Sequence, residues 1–147
     1  MNADEIYRKP EVSKRYSQYL KTKKPNQNCV FCDKNEMNIR NVGGKLKFFT
    51  LVESSAPYAY WDVKEVISNL MIVPIRHICC LSDMNEGESQ EYLSLVKKYS
   101  KLGYDVFVRN SGSVGKSINH LHTHLLKTVE LRLGVKVEYF KNDESEN

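Results

Sequence analysis

Apolar and polar residues follow a helical spacing in two stretches of the chain and a strand-like spacing in several others. Apolar positions three and four residues apart predict helices over residues 10–22 and 86–102, with Gly103 ending the second helix. Alternating or continuous apolar residues between turn residues predict strands over 46–52, 58–63, 70–74, 105–109 and 118–126, with 131–140 as a sixth candidate. This order indicates an α+β fold: a mainly antiparallel five- to six-stranded sheet with one long helix and an N-terminal helix.

The length and composition fit a single folded domain. The chain has 147 residues, of which 41% are hydrophobic and 27% charged, and this is enough for one sizeable core. We expect residues 1–28 to form an N-terminal helical extension, 29–140 the main domain and 141–147 a flexible acidic tail. No apolar run approaches the ~20 residues of a membrane helix, and the first residues lack a secretory signal pattern. The sequence therefore predicts a cytoplasmic protein without a membrane partner.

The charge balance is mildly basic, with a formal net charge of +4 and a pI near 8.8. Such a balance suits ligands that carry phosphate, although a solvated surface explains it equally well. It falls short of the strongly basic character of a nucleic-acid-binding domain, so a nucleic-acid partner is not expected.

Three of the four histidines lie within five residues, at positions 120, 122 and 124. On a strand these side chains would line one face, while the residues between them would face the core. Three adjacent imidazoles are hard to explain by packing, because each needs hydrogen-bond partners when buried and they repel one another when protonated. The pattern indicates a functional site. The alternative is a polar sheet face that happens to contain histidine.

Cys29 and Cys32 form a C-x-x-C pair, which lets two sulfurs reach one metal ion from a tight turn. With His77 and His120 as the candidates for the remaining ligands, they supply the parts of a tetrahedral zinc site. The alternative is a redox dithiol, but such a motif usually opens a βαβ unit, and none is predicted here. The adjacent cysteines at 79–80 would point to opposite sides of an extended segment, and we expect them to be buried small hydrophobes.

Residues 109–117 read Arg-Asn-Ser-Gly-Ser-Val-Gly-Lys-Ser and form a polar segment before the histidines. They do not complete a Walker A phosphate loop, because position 110 is asparagine where that motif needs glycine, and a strand rather than a helix is predicted to follow. We interpret the segment as a turn whose amides and hydroxyls can hold a phosphate. A plain connection between two strands is the alternative.

With these residues in place, the sequence resembles the histidine-triad family, whose motif is His-φ-His-φ-His-φ-φ with φ apolar. Residues 120–126 read His-Leu-His-Thr-His-Leu-Leu and match it with threonine as the one polar φ. The resemblance spans about residues 29–126 and extends to the zinc-containing bacterial-type members. Their metal ligands are a C-x-x-C, a histidine after an apolar strand that ends in proline, and the first triad histidine. Here those ligands are Cys29, Cys32, His77 and His120.

The resemblance implies roles for individual residues. His122 would be the nucleophile that attacks the α-phosphorus of a nucleotide and forms a nucleotidyl-histidine intermediate, and His124 would hydrogen-bond the phosphate or the leaving group. The positions that match the family's α-phosphate contacts are Asn110 and Ser117. The nucleotide-binding positions are Asp62 for the ribose hydroxyls, Tyr60 and Val63 beside the base, and Asn69, which stands where many members have a further histidine. The resemblance also implies a structural zinc ion and a homodimer with an extended sheet.

Three functions are open at this point. The first is hydrolysis or transfer at the α-phosphate of a nucleoside phosphoramidate, a dinucleoside polyphosphate or a related conjugate, which explains His122, His124 and Asp62 together. The second is a nucleotide-binding or sensor module without turnover, for which Asn69 is the supporting feature. The third is a zinc-stabilised interaction or nucleic-acid-binding domain, which leaves those three residues unexplained.

Overall fold

The computed structural model describes residues 7–22, 29–33, 41–110, 112 and 118–132. Helix α1 spans Pro10–Thr22 and helix α2 spans Glu86–Lys101. The strands are β1 Phe49–Glu53, β2 Tyr60–Trp61, β3 Lys64–Pro74, β4 Asp105–Val108 and β5 Thr123–Val129, and a 3₁₀ turn covers Leu81–Asp83. No helix within these ranges is long and apolar enough to cross a membrane.

The strands form one antiparallel sheet in the order β1-β3-β5-β4, with the short β2 paired to the start of β3. The predicted α+β class with a mainly antiparallel sheet is therefore confirmed, and so are both helices. Residues 133–140, which include most of the sixth strand candidate, and the predicted tail lie outside the described part of the chain.

Helix α2 covers one face of the sheet and closes the main core. Asn85 caps its start, because Asn85 Oδ1 accepts from Glu88 N and the Glu88 carboxylate accepts from Asn85 N, both at 2.9 Å. Gly103 ends it with a φ of 83°. The buried apolar side chains between helix and sheet are Phe49, Leu51, Ile72, Leu95 and Leu125. Burial of each is worth about 1.5–3 kcal/mol.

Thr123, the polar residue within the histidine motif, has a partner on this helix-covered face. It is fully buried, and its Oγ1 lies 3.0 Å from the hydroxyl of Tyr92 on α2. The hydroxyl pair satisfies both groups, so a polar residue at this position costs the core little.

The predicted bounds of the two strands at 58–63 and 70–74 were wrong. Strand β3 runs from Lys64 to Pro74, and a two-residue turn at Asp62 and Val63 joins it to β2. Both turn residues have positive φ, 48° and 57°, as a tight hairpin turn requires. Because Val63 is not a typical residue of such turns, the sequence pattern did not reveal it.

The strand predicted over 118–126 begins at Thr123 instead. His124 alone of the three motif histidines therefore lies on β5, and the prediction that one strand carries all three was wrong. Thr123 pairs with Ile72, two residues before Pro74. The ladder between β3 and β5 ends at this pair, and Pro74 beyond it has no N–H to donate. Leu121 N instead donates to the Ile78 carbonyl at 2.7 Å.

Candidate active site and metal centre

Two cysteines and two histidines from three separate parts of the chain converge on one point. Cys29 and Cys32 lie in a tight turn, closed by a 2.9 Å hydrogen bond from Cys32 N to the Cys29 carbonyl. His120 Nδ1 lies 3.4 Å from Cys29 Sγ and 3.5 Å from Cys32 Sγ, and His77 Nδ1 lies 3.3 Å from Cys32 Sγ. The four ligand atoms all lie within 4.8 Å of one another, so the ligand set expected from the sequence is assembled.

The spacing and the histidine tautomer fit a tetrahedral zinc ion. Bond lengths of about 2.3 Å to sulfur and about 2.0 Å to nitrogen imply a sulfur-to-nitrogen distance of about 3.6 Å, close to the values above. His120 is fully buried, and its Nε2 donates to the Pro74 carbonyl at 2.8 Å. Because a carbonyl can only accept, Nδ1 carries the lone pair that faces the sulfurs.

The two thiols lie close enough together to disfavour each other's ionisation. Burial raises the pKa of the Cys32 thiol, and the neighbouring Cys29 raises it further. A divalent cation at the same point would reverse this effect and hold both sulfurs as thiolates.

The adjacent cysteines at 79–80 are half-buried rather than buried, and they make polar contacts. Their backbone amides both donate to Asp83 Oδ2 at 3.1 Å, and the Cys80 thiol donates to the same oxygen at 3.2 Å. The Cys80 thiol and then these amides lower the pKa of Asp83. The expectation of buried small hydrophobes was wrong, because the pair begins the 3₁₀ turn at the surface.

His122 is held in one tautomer by the backbone. Its Nδ1 lies 2.9 Å from the carbonyl of His120 and must donate to it, so in the neutral ring Nε2 carries the lone pair. The ring centroid lies 5.4 Å from that of Phe31, which also packs on His120 at 5.6 Å. Phe31 lies between the two cysteines, so the metal cluster and His122 share one packing contact.

His124 is held in the opposite tautomer. Asn69 Nδ2 lies 3.2 Å from its Nδ1, and because an amide nitrogen only donates, Nδ1 accepts and Nε2 carries the proton. Burial lowers the pKa of His124 to about 3, and the nearby His122, Arg8 and Arg109 add to the effect. His124 is therefore a neutral N–H donor at pH 7, with its ring centroid 5.2 Å from that of His122.

Asn69, expected to contact the nucleotide, forms a hydrogen bond with His124. It is 7% exposed; its Oδ1 accepts from Tyr58 N, and its Nδ2 reaches the Leu70 carbonyl and His124 Nδ1, each at 3.2 Å. Both ends of the amide are thus used within the protein, and the predicted contact of Asn69 with the nucleotide stays a prediction.

Asn110, an expected phosphate contact, follows β4 and is oriented by the start of the 3₁₀ turn. Its Oδ1 accepts from Leu81 N at 3.0 Å, which leaves Nδ2 as the amide's donor. Ser117 and most of the predicted phosphate turn lie outside the described residues.

A cleft of about 570 Å³ opens beside β2 and β4. Asp62, the expected ribose contact, lies on its wall with an 82% exposed side chain, 3.7 Å from Lys64 Nζ. The residues that line the cleft are Tyr7, Trp61, Asp62, Asp105 and Val106.

Tyr60 and Val63 were expected beside the base. Among the described residues, Trp61 lines this cleft, and Tyr60 and Val63 do not. Tyr60 precedes Trp61 on β2, so the two side chains point to opposite faces, while Val63 sits in the turn. The contact of Tyr60 and Val63 with the base stays a prediction.

Aromatic rings connect the cleft to His124. The Trp61 ring centroid lies 4.7 Å from that of Phe107 and 5.8 Å from that of Tyr58. Those two rings lie 6.0 Å and 5.2 Å from His124. The sequence pattern does not single out Tyr58, Trp61 or Phe107, although each stands on or beside a predicted strand.

Comparison with known proteins finds relatives of the chain, although no protein-family model matches it. A bis(5'-adenosyl)-triphosphatase of Saccharomyces cerevisiae is 32% identical over 84 residues, which cover 50% of the chain and 41% of that protein. The chain thus matches less than half of that relative's length. An uncharacterized HIT-like protein of Methanocaldococcus jannaschii is 26% identical over 110 residues, which cover 69% of the chain and 80% of that protein. The chain is thus similar in sequence to histidine-triad proteins.

Solved structures of histidine-triad proteins share the fold. A HIT family hydrolase from Clostridium thermocellum superposes with a TM-score of 0.53 at 24% identity, covering 76% of this chain and 98% of that one. A Zn-bound histidine triad family protein from Mycobacterium smegmatis superposes with a TM-score of 0.50 at 13% identity, covering 80% and 84%. At such identities the likeness establishes the histidine-triad fold and nothing further.

Proposed function

We propose that this histidine-triad chain is a nucleotide hydrolase or nucleotidyltransferase acting at the α-phosphate of a nucleoside phosphoramidate, dinucleoside polyphosphate or related conjugate. The observation that carries the proposal is the pair of opposite tautomers at His122 and His124. A ring nitrogen with a lone pair stands beside a neutral N–H donor, as attack on a phosphate and stabilisation of its charge require. The triphosphatase named among the relatives supports a nucleotide conjugate as substrate.

In the first half of the reaction, the lone pair of His122 Nε2 attacks the α-phosphorus. The bond to the leaving group breaks, and its electron pair departs with that group. His124 Nε2–H and the Asn110 amide would donate to the phosphate oxygens, on which charge develops. Ser117 is assigned to the same oxygens on the family resemblance alone.

In the second half, water or another acceptor attacks the phosphorus of the nucleotidyl-histidine. The phosphorus–nitrogen bond breaks, its electron pair returns to His122 Nε2, and the attacking group releases one proton to solvent. His122 is then neutral again, with Nδ1 still bonded to the His120 carbonyl. Two easier steps thereby replace one difficult displacement.

Zinc belongs to this proposal as a structural ion. Cys29, Cys32, His77 and His120 would supply four protein ligands, so no coordination position remains open for substrate. The ion would fix the turn that contains Phe31. It would also fix the backbone around His120, whose carbonyl sets the His122 tautomer. The homodimer, the three-part division of the chain and the cytoplasmic location stay predictions.

The test is nucleotide release from a panel of adenosine and guanosine phosphoramidates and dinucleoside polyphosphates. Wild type should turn over at least one of them, and His122→Ala should lower that rate by at least about a thousandfold because the nucleophile is lost. Lys97→Ala, an exposed change on α2 across the sheet, should match wild type. Acid-quenched wild type should carry a nucleotidyl adduct that His122→Ala lacks.

Two outcomes would contradict the proposal. Activity retained by His122→Ala would assign the nucleophile elsewhere. A folded, zinc-loaded wild type that binds nucleotide but releases no product from any member would favour the binding-module alternative.

A further inference from the structure

The segment before α1 is docked onto the candidate site, although it falls outside the family resemblance. The Tyr7 carbonyl accepts from Ala59 N at 2.6 Å, and Arg8 Nε donates to the Ala56 carbonyl at 2.9 Å. Further along α1, Arg15 donates to the Ser55 carbonyl at 3.1 Å. These bonds fix the N-terminal segment over the loop that leads into β2.

Arg8 acts as a clamp for this segment. Its guanidinium carbon lies 4.5 Å from the Tyr58 ring centroid and 4.8 Å from that of Tyr16, and the residue is 8% exposed. A buried guanidinium against two aromatic faces is a favourable cation–π arrangement. The backbone of Tyr7 is consequently held in place before any ligand arrives.

The Tyr7 side chain forms part of the cleft wall. Its ring centroid lies 6.0 Å from that of Trp61 and 6.0 Å from that of Tyr58, and it lines the cleft with Asp62, Asp105 and Val106. The Tyr58 ring packs on both Tyr7 and His124, so one side chain separates Tyr7 from the candidate catalytic histidine.

The chemistry of the cleft selects the nucleoside end of a nucleotide. Two aromatic rings and Val106 offer apolar surface to a flat base. The carboxylates of Asp62 and Asp105 can accept from hydroxyl and amino groups, whereas they would repel a phosphate. The phosphate is thus directed to the histidines and the base to the cleft.

We propose that Tyr7 is a substrate-binding residue whose ring forms, with Trp61, the aromatic wall on which the nucleoside base packs. This inference rests on the proposed function for the identity of the ligand. It assigns a role in the site to the N-terminal segment, which the family resemblance leaves without one. Because Tyr7 would contact the base and not the reacting atoms, it should contribute to binding and leave the chemical step unchanged.

The experiment compares the binding of AMP with that of ribose 5-phosphate by calorimetry. Tyr7→Ala should weaken AMP binding about tenfold and ribose 5-phosphate binding by less than about twofold, since only AMP has a base to stack. Tyr7→Phe keeps the ring and should match wild type. Gln18→Ala, an exposed change on α1, should also match it, and zinc content and melting temperature should show that each variant is folded.

The outcomes separate this inference from the proposed function. An equal loss for both ligands, or no loss for either, would overturn the role of Tyr7 even if the enzyme turns over. Selective loss of AMP binding in a protein without turnover would support Tyr7 and contradict the enzyme. A wild type that binds neither ligand would overturn the role of Tyr7, while nucleotide release from the substrate panel would still decide the proposed function. In an active enzyme, Tyr7→Ala should raise KM about tenfold and leave kcat within about twofold.

Discussion

Two hydrogen bonds determine which nitrogen of each candidate catalytic histidine is protonated. His122 faces a backbone carbonyl and His124 faces the amide of Asn69, so two identical side chains take opposite roles. The tautomer of His122, the candidate nucleophile, is set by a main-chain carbonyl, which no substitution removes directly. The donor candidate is controlled by a side chain, and a point substitution can therefore invert it.

Asn69→Asp should invert the tautomer of His124. A carboxylate accepts where the amide donates, so Nδ1 must take the proton and Nε2 loses it, or the ring becomes charged. We expect kcat to fall about tenfold to a hundredfold, because one donor to the phosphate is lost, with a smaller change in KM. The ¹⁵N chemical shifts of the His124 ring report the same inversion without any assay.

Asn85→Asp is the matched control for this prediction. It makes the same chemical change at a helix N-cap, where Oδ1 only has to accept from Glu88 N, and aspartate serves equally well there. Its kcat should match that of wild type. If the His124 ring shifts in Asn69→Asp equal those of wild type, the contact between Asn69 and His124 does not set the tautomer.

At the scale of elements, the β2–β3 hairpin contains a strained residue next to the cleft. Val63 has a φ of 57°, a conformation that is unfavourable for a β-branched side chain by about 1–2 kcal/mol. Its side chain is 49% exposed, so packing offers little compensation. The turn nevertheless places Asp62 at the cleft, which gives the strain a plausible functional reason.

Val63→Gly should stabilise the protein. Glycine adopts positive φ without cost and gives the turn an Asp-Gly sequence, which suits a two-residue hairpin. We expect the free energy of unfolding to rise by up to about 1 kcal/mol, measured by urea denaturation. Val129→Gly, the same change at an exposed position on β5, should lower it by about 0.5–1 kcal/mol. Destabilisation by Val63→Gly would mean that the turn is not strained.

Some of the helices and strands could be predicted from the sequence pattern, and others could not. Helix α2 was predictable because its apolar stripe, capping asparagine and terminal glycine agree with one another. The hairpin was not, since Val63 is not a typical residue of a tight turn and the strand-like pattern continues through it. The start of β5 was not predictable either, because it depends on pairing with β3 and on Pro74, far away in the sequence.

At the scale of the whole molecule, the convergence of Cys29, Cys32, His77 and His120 was predictable, because thiols and imidazoles are recognisable as candidate metal ligands from the sequence alone. The aromatic cleft was not. Tyr7 and Phe107 are ordinary apolar residues in the sequence, and their role comes from packing between the N-terminal segment, β2 and β4. Residue chemistry can thus be identified without a structure, whereas a binding surface built from common residues depends on the fold.

The cluster of two cysteines and two histidines joins the turn at 29–32 to the segments that carry His77 and His120. Loss of the proposed zinc ion should therefore affect both stability and the site. Wild type should carry about one zinc per chain. Cys32→Ser should lower that content and reduce the free energy of unfolding by about 3 kcal/mol or more, because the bound ion stabilises only the folded state. Metal analysis and denaturation measure the two effects.

Cys80→Ser is the matched control, since its hydroxyl can retain the bond to Asp83 and the residue lies outside the cluster. It should keep zinc and stability. Because Phe31 packs on both His120 and His122, Cys32→Ser should also lower kcat, although neither Cys32 nor the ion takes part in the reaction. A metal-free wild type with full stability and full activity would show instead that hydrogen bonds and packing alone hold the C-x-x-C turn against the histidines.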